Sequence, residues 1–391
     1  MSTQVHHGPE IAEAAAREQV KPAEPPPSPA PSQRIMSVDA LRGFDMFWIA
    51  GGQAFVIEFL RLFSNPLPPW LERQFDHVPW EGFVGWDLIM PLFLFIVGVA
   101  MPFSFGKRLA RGDTRRQIYG KVIYRVAVLW VLGMVAQGHL LHFDINNLQF
   151  YSNTLQAIAA GYLISAIALV ELPVRWQAAL AGALMLVFWA LMAWVPVPGV
   201  GAGVYTPDGN LAIWIDRTLL GHFQDGTHYS WILSSLVFGS TVLMGVLSGH
   251  LLRSSVPAKR KAALLAGAGV ACLFVGWLWS FSFPIIKHIW TSSMVLWSGG
   301  WCLLLLALFY WVIDVLGYKR WAFFFTVIGM NAIVAYMAPD IIPFRTIGRT
   351  LFGGLSTHLG MFGPFVLAAG TLGVLWIVLY YLFRNKTFVR I

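Results

Sequence analysis

Long apolar runs recur along nearly the whole chain, and they constrain its fold more than any other feature. A helix crosses the hydrocarbon core of a bilayer with about 20 mostly apolar residues. From Leu41 onward, runs of that kind occupy 41–60, 83–106, 122–142, 154–171, 176–196, 231–252, 262–283, 291–315, 321–339 and 362–384. The expected fold is all-α, a polytopic integral membrane protein of about ten transmembrane helices. Composition agrees, because 12% of the residues are charged, where a soluble domain carries about 25%. That balance excludes an ordinary soluble enzyme, and 57% hydrophobic residues exclude a disordered chain.

Residues 1–33 differ from the rest. A charged, alanine-rich stretch leads into Lys21-Pro-Ala-Glu-Pro-Pro-Pro-Ser-Pro-Ala-Pro31, which cannot bury apolar area and reads as an extended cytoplasmic tail. The transmembrane domain is then 34–391. No basic segment leads into a short apolar core, so no signal peptide is expected and the first span should remain uncleaved. The net charge of +8 follows from the excess of Lys and Arg in cytoplasmic loops and requires no nucleic acid. With the N-terminus in the cytoplasm, every basic residue except Arg61, Arg73, Arg217, Lys287, Arg345 and Arg349 falls on that side, and both termini are cytoplasmic. The opposite side receives loops 61–82, 143–153 and 197–230, a turn around Lys287, and 340–361. These loops hold His77, His222, His228, His288 and His358, without the paired spacing of a metal site. Cys272 and Cys302 both sit in apolar runs, which supports neither a disulfide framework nor a Cys metal cluster.

Ionisable and amide side chains inside spans are costly and mark candidate sites. Arg42 and Asp45 lie three residues apart on one helix face, and a regular helix puts Gln53 on the same polar stripe. A structural Arg42–Asp45 pair near the inner water interface is the plain alternative. His77 precedes the second span in a loop rich in Pro and Trp, with Asp87 about one turn inside that span. A carboxylate beside an imidazole fixes its tautomer for general-base or nucleophilic work, although such a His is also common as a structural residue. Asn153, Lys287, Thr291 and Ser292 gather toward the same outer side and are candidate binding residues for a hydroxylated substrate such as a sugar, with Asn331 inside the ninth span. On the inner side, Lys107, Arg108, Arg111, Arg115 and Arg116 suit either anionic lipid head groups or the phosphates of a nucleotide or coenzyme A.

Ser37-Val-Asp-Ala-Leu-Arg-Gly-Phe44, His77-Val-Pro-Trp-Glu-Gly82 and Asp87-Leu-Ile-Met-Pro-Leu-Phe-Leu-Phe-Ile-Val-Gly98 resemble the transmembrane acyltransferases related to heparan-alpha-glucosaminide N-acetyltransferase. Leu155-Gln-Ala-Ile-Ala, Trp290-Thr-Ser-Ser293 and Gly329-Met-Asn-Ala-Ile extend the resemblance over about 34–384. It implies acetyl transfer from cytosolic acetyl-CoA, as co-substrate, to an amino sugar or glycan on the far side of the membrane. For a bacterial member, it implies an inner-membrane protein with the His77 loop on the periplasmic side. The family's loop histidine matches His77. Its first-span asparagine aligns at Gln53, one methylene longer.

On that reading His77 deprotonates the acceptor or carries the acetyl group, Asp87 orients it, and Gln53 donates to the thioester oxygen. Arg42, Asp45 and the Lys107–Arg116 cluster hold the coenzyme, no metal takes part, and a homodimer is a candidate assembly. The alternative is an inner-membrane transporter for N-acetylglucosamine or a related amino sugar. Against it, no internal repeat is visible, and the Gly and Pro residues in the spans do not by themselves mark broken helices.

Overall fold

The computed structural model describes residues 1–2 and 35–389, so the tail expected over 1–33 lies almost wholly outside the described residues. Among those residues the chain is helical and forms no strand, with isolated bridges at Glu81–Ile286 and Val197–Gly201. The principal helices are α1 (Met36–Phe47), α2 (Gln53–Arg61), α3 (Ile89–Ala110), α4 (Arg115–Ala136), α5 (Thr154–Glu171), α6 (Val174–Trp194), α7 (Leu211–Leu220), α8 (Ser235–Arg253), α9 (Ala258–Ser280), α10 (Ser292–Tyr310), α11 (Ala322–Met330), α12 (Ala332–Ile341), α13 (Phe344–His358) and α14 (Gly363–Arg384).

Eight helical runs among the described residues are long and apolar enough to cross a membrane, and α11 with α12, bent by 72° at Asn331, makes a broken ninth. These account for nine of the expected spans. The remaining run, 41–60, is helical but interrupted. Residues Trp48–Gly52 form a π-helical turn in which Gly51 takes φ 115°, a conformation open to glycine because it has no Cβ. The 100°-per-residue register that put Arg42, Asp45 and Gln53 on one stripe therefore does not carry across the break.

Local sequence sets most helix starts. Thr114 and Gln117 form a reciprocal capping box on α4, satisfying backbone donors that a helix start leaves open. Asn153 and Asn210 cap α5 and α7. Packing then sorts the helices by face. Thirteen of the 19 residues of α8 are buried, and it lies against α3, α5 and α6. By contrast α4, α9 and α14 leave Ile123, Val131, Phe274, Leu278 and Ile377 exposed, as expected of surfaces that meet lipid.

Glycines set the closest helix contacts. A Cβ on Gly98 would overlap the Val242 carbonyl, and one on Gly245 the Phe95 carbonyl. Small residues at such crossings let helices approach to backbone contact in the absence of a hydrophobic driving force. Gly245→Leu is expected to push α3 and α8 apart and strongly reduce the monodisperse peak in size-exclusion chromatography of solubilised protein, whereas Gly267→Leu, a position with open space around it, leaves that peak intact.

Two sequence expectations change here. The 340–361 segment, read as an outer loop, contains α13, which packs on α14. Arg42 approaches Asp39 at 3.8 Å, and Asp45 is fully buried with no hydrogen-bond partner on either carboxylate oxygen. The Arg42–Asp45 pair, the plain alternative for these two residues, is not formed.

Candidate active site

The loop before α3 is held from several directions. Gln53 Nε2 donates to the Phe75 carbonyl at 2.6 Å, and Asp76 accepts from the His77 amide at 2.8 Å. Trp80 donates from Nε1 to the Tyr205 carbonyl at 2.8 Å and stacks on His288 with centroids 5.2 Å apart. Gly82, at φ 120°, donates to the Ile285 carbonyl at 2.9 Å, tying this loop to the one that carries Lys287.

That second loop owes its shape to Thr291. Its hydroxyl donates to the Pro284 carbonyl at 2.7 Å and accepts from the Ile286 amide at 3.1 Å, while Ser293 donates to the same carbonyl at 3.0 Å. Trp290 takes φ 52° and is buried, with Nε1 donating to Thr241 at 3.2 Å. Lys287 is thereby turned inward.

The two loops bring His77, Asp87 and Lys287 together. His77 Nδ1 lies 2.7 Å from Asp87 Oδ1, Lys287 Nζ lies 3.3 Å from the same oxygen, and Asp87 Oδ2 accepts from the Val84 amide at 3.2 Å. Lys287 Nζ is 3.0 Å from His77 Nδ1 and 3.4 Å from Nε2. A proton on Nδ1 donated to the Asp87 carboxylate leaves Nε2 as the ring's acceptor, and the Lys287 ammonium lies beside both ring nitrogens, nearer Nδ1. Asp87 and Lys287 are 0% and 5% exposed, whereas His77 is 39% exposed, so the imidazole is the member of the trio most open to a ligand.

His77 and Lys287 open on a cavity of about 320 Å³. Trp86, Phe93, Tyr229 and Trp231 give it aromatic walls, and Gln137, Ser152, Thr154, Asp225 and Thr227 add polar groups. An aromatic pocket with a few convergent polar groups is the usual form of a small-molecule site. Much of this lining was not apparent from the sequence. Asp225, Thr227 and Tyr229 come from the end of the long 197–230 connection and Trp231 follows it directly, with Asp216 of that connection accepting from the Trp231 and Ile232 amides at 2.6 and 3.0 Å. Aromatic and acidic residues clustered at the end of so long a connection were the available signal.

The remaining candidates separate. Asn153 is buried, donates to Gln137 at 2.9 Å and caps α5 beside the lining residues Ser152 and Thr154. Thr291 and Ser292 are fully buried, Ser292 donating to the Met185 carbonyl at 2.7 Å. They hold structure behind the site and do not line it. Asn331 sits at the α11–α12 break and accepts from the Val389 amide at 3.2 Å, also outside the lining. Gln53, expected to donate to a reacting oxygen, holds the Phe75 carbonyl instead. Lys107, Arg108 and Arg111 end α3, and Arg115 and Arg116 begin α4, about 30 Å along α3 from Asp87 at ~1.5 Å per residue. Arg115 pairs with Glu171 at 2.8 Å.

Burial governs the titration of the loop residues. It lowers the Lys287 ammonium to about 8 against the opposing pull of Asp87, and holds His288 at about 4 with help from the Lys287 charge. Asp216 is raised to about 7 by burial. For Lys287 the unfolded chain holds more protons between about 8 and 10.5, so stability contributed at this site rises as pH climbs through that window. The melting temperature of the wild type relative to Lys287→Met is expected to increase from pH 8 to pH 10.5. A difference that stays flat over that range would contradict the buried ammonium.

No protein-family profile matches the chain. It is 23% identical over 336 residues to the mouse protein named heparan-alpha-glucosaminide N-acetyltransferase, a match covering 68% of this chain and 49% of that protein. With the human protein of the same name it is 22% identical over 383 residues, covering 81% and 56% respectively. The chain thus spans about half the length of these curated relatives. The similarity is distant, and it extends over most of this chain.

Proposed function

We propose that the chain is a membrane-embedded acyltransferase that moves an acetyl group from acetyl-CoA to the amino group of an amino sugar or glycan. The observation that carries this reading is the His77–Asp87–Lys287 cluster opening on the cavity, and the distant likeness to two N-acetyltransferases supports it. His77 Nε2 takes a proton from the acceptor nitrogen as that nitrogen attacks the thioester carbonyl. The C–S bond breaks, and the departing thiolate takes the proton back from the imidazolium, giving the amide and free coenzyme A. Asp87 holds the tautomer. Lys287 supplies positive charge where the carbonyl oxygen becomes negative, the role assigned from sequence to Gln53; preorganised donors of this kind contribute about 3 kcal/mol.

The coenzyme enters from the cytoplasm past Lys107, Arg108, Arg111 and Arg116, with Arg42 along its route, and the acceptor enters from the periplasmic side of an inner membrane. The separation of about 30 Å between the basic cluster and Asp87 means that these charges act at entry if the thioester is to reach His77. Purified protein supplied with labelled acetyl-CoA and glucosamine should yield N-acetylglucosamine. Failure to bind coenzyme A at all would overturn the reading.

The broken helices at Gly51 and Asn331 favour a second reading as an amino-sugar transporter, because interrupted helices frame substrate sites in many transporters. Uptake of labelled N-acetylglucosamine into proteoliposomes without acetyl-CoA would select it.

A further inference from the structure

Trp231 is pinned by its amide, its carbonyl and its indole, and two of the groups that pin it are carboxylates from the 197–230 connection. Asp216 Oδ2 accepts from the Trp231 amide at 2.6 Å, and Asp216 Oδ1 from the next amide, Ile232, at 3.0 Å. The indole Nε1 donates to Asp225 Oδ2 at 2.9 Å, and the Ser235 amide and hydroxyl donate to the Trp231 carbonyl at 2.9 and 2.8 Å. Trp231, Tyr229 and Asp225 all line the cavity. Whatever fastens Trp231 therefore fixes one wall of the site.

Asp216 lies inside α7 behind that wall and is 0% exposed. Arg217, its neighbour in sequence, turns away to Asp208 at 3.2 Å, and His228 approaches the same Asp208 at 3.8 Å. His222, just beyond α7, stacks on Phe223 with centroids 3.8 Å apart. The titratable groups that interact with Asp216 are Asp225 and the Tyr151 hydroxyl. Among the packed helices, α6 has no ionisable residue beyond Arg175 in its first turn, and α8 has none before His250. Burial, with the Asp225 charge adding to it and the two amides opposing, raises the carboxyl to about 7.

The two protonation states bond differently. A carboxylate offers two acceptor oxygens and serves both amides. In the acid one oxygen carries a hydrogen of its own and faces an amide N–H, so one of the two hydrogen bonds is given up. The fold as a whole loses no stability here as pH falls, because the folded chain holds this proton more tightly than the unfolded chain, whose carboxyl titrates near 3.8. What changes is the fastening of Trp231.

We propose that Asp216 is a positioning residue for the acceptor side of the cavity, and that protonating it releases the Trp231 wall, so that the site grips its acceptor in neutral solution and loosens in acid. The proposal rests on the acyltransferase reading and adds to it a pH-sensitive control of acceptor binding.

A nitroxide on Thr227→Cys, another lining position, reads the wall without catalysis. Cys272→Ser removes the half-buried native thiol, Cys302 being fully buried. In nanodiscs the mobile fraction of the label should rise as pH falls from about 8 to about 6, with its midpoint at about 7. Asp216→Asn keeps one acceptor oxygen and places a donor where the acid has its hydroxyl, so it should show the mobile state throughout. Over the same range KM for glucosamine, with labelled acetyl-CoA in excess, should rise about 2- to 10-fold more in the wild type than in Asp216→Asn, the contribution of one hydrogen bond, while kcat changes alike in both. Comparison with the variant cancels the titration of the sugar amine. Asp225→Asn, which removes the neighbouring charge, should move the label's midpoint to lower pH and serves if Asp216→Asn does not fold. A wild-type label indifferent to pH, a response that survives Asp216→Asn, a midpoint unmoved by Asp225→Asn, or a flat KM ratio would each overturn the proposal. A label that switches as expected in protein devoid of transfer activity would instead remove the acyltransferase reading and keep Asp216 as the switch of the wall.

Discussion

His77→Ala is expected to lower acetyl transfer by about 10²–10⁴-fold, the range over which a positioned general base contributes, while leaving the melting temperature nearly unchanged. The stability half of that expectation follows from exposure. His77 is the exposed member of the trio, and Asp87 retains Lys287 and the Val84 amide when the ring is removed. The readout is initial rate in proteoliposomes supplied with labelled acetyl-CoA and glucosamine, alongside coenzyme A affinity. Loss of rate with affinity intact assigns His77 to the chemical step. Label that stays on the wild-type protein when acceptor is withheld would redirect the mechanism to an acetyl-histidine route. Unimpaired transfer by the variant would sink the assignment altogether.

The second large effect is on stability. Asp87→Ala leaves Lys287 nearly buried, with its carboxylate partner removed. Removing one partner of a buried ion pair costs about 3–5 kcal/mol, because the charge left behind has lost its compensation. Much of the protein should then fail to reach the membrane in folded form. Asp87→Asn together with Lys287→Met removes both charges and should regain most of the lost melting temperature, still without transfer activity. If the double variant is no more stable than Asp87→Ala, the pair is not what holds the two loops together.

The sequence carried the architecture because the apolar runs are long and the helix caps are local. α5 begins and ends where its pattern of residues placed it, at Thr154 and Glu171. What a linear pattern cannot carry is a change of helical phase. Gly51 looks like any glycine in an apolar run until φ 115° interrupts α1 and α2, so the Arg42–Asp45–Gln53 stripe drawn on a regular helix dissolves. For the site, His77 and Asp87 were legible because they are near neighbours in sequence, and Lys287 because a charge in an apolar context stands out. Thr291 and Ser292 fall outside the cavity lining for a physical reason. Small hydroxyls in apolar surroundings serve either a ligand or a backbone carbonyl, and here the carbonyls of Pro284 and Met185 take them. Tyr229 and the adjacent Trp231 went unnoticed because their position depends on how the 197–230 connection and the start of the following span meet the cavity.

His77 and Lys287 are 210 residues apart in the chain. At roughly 5–20 residues per second, the ribosome supplies the cation about 10–40 s after the loop histidine and Asp87 have emerged. During that interval the first membrane segments must be inserted with their carboxylate held only by the histidine and a backbone amide. The ammonium thus arrives as a late latch on a half-built site, and a nascent chain stopped before residue 287 would leave that site open, whereas the completed chain closes it.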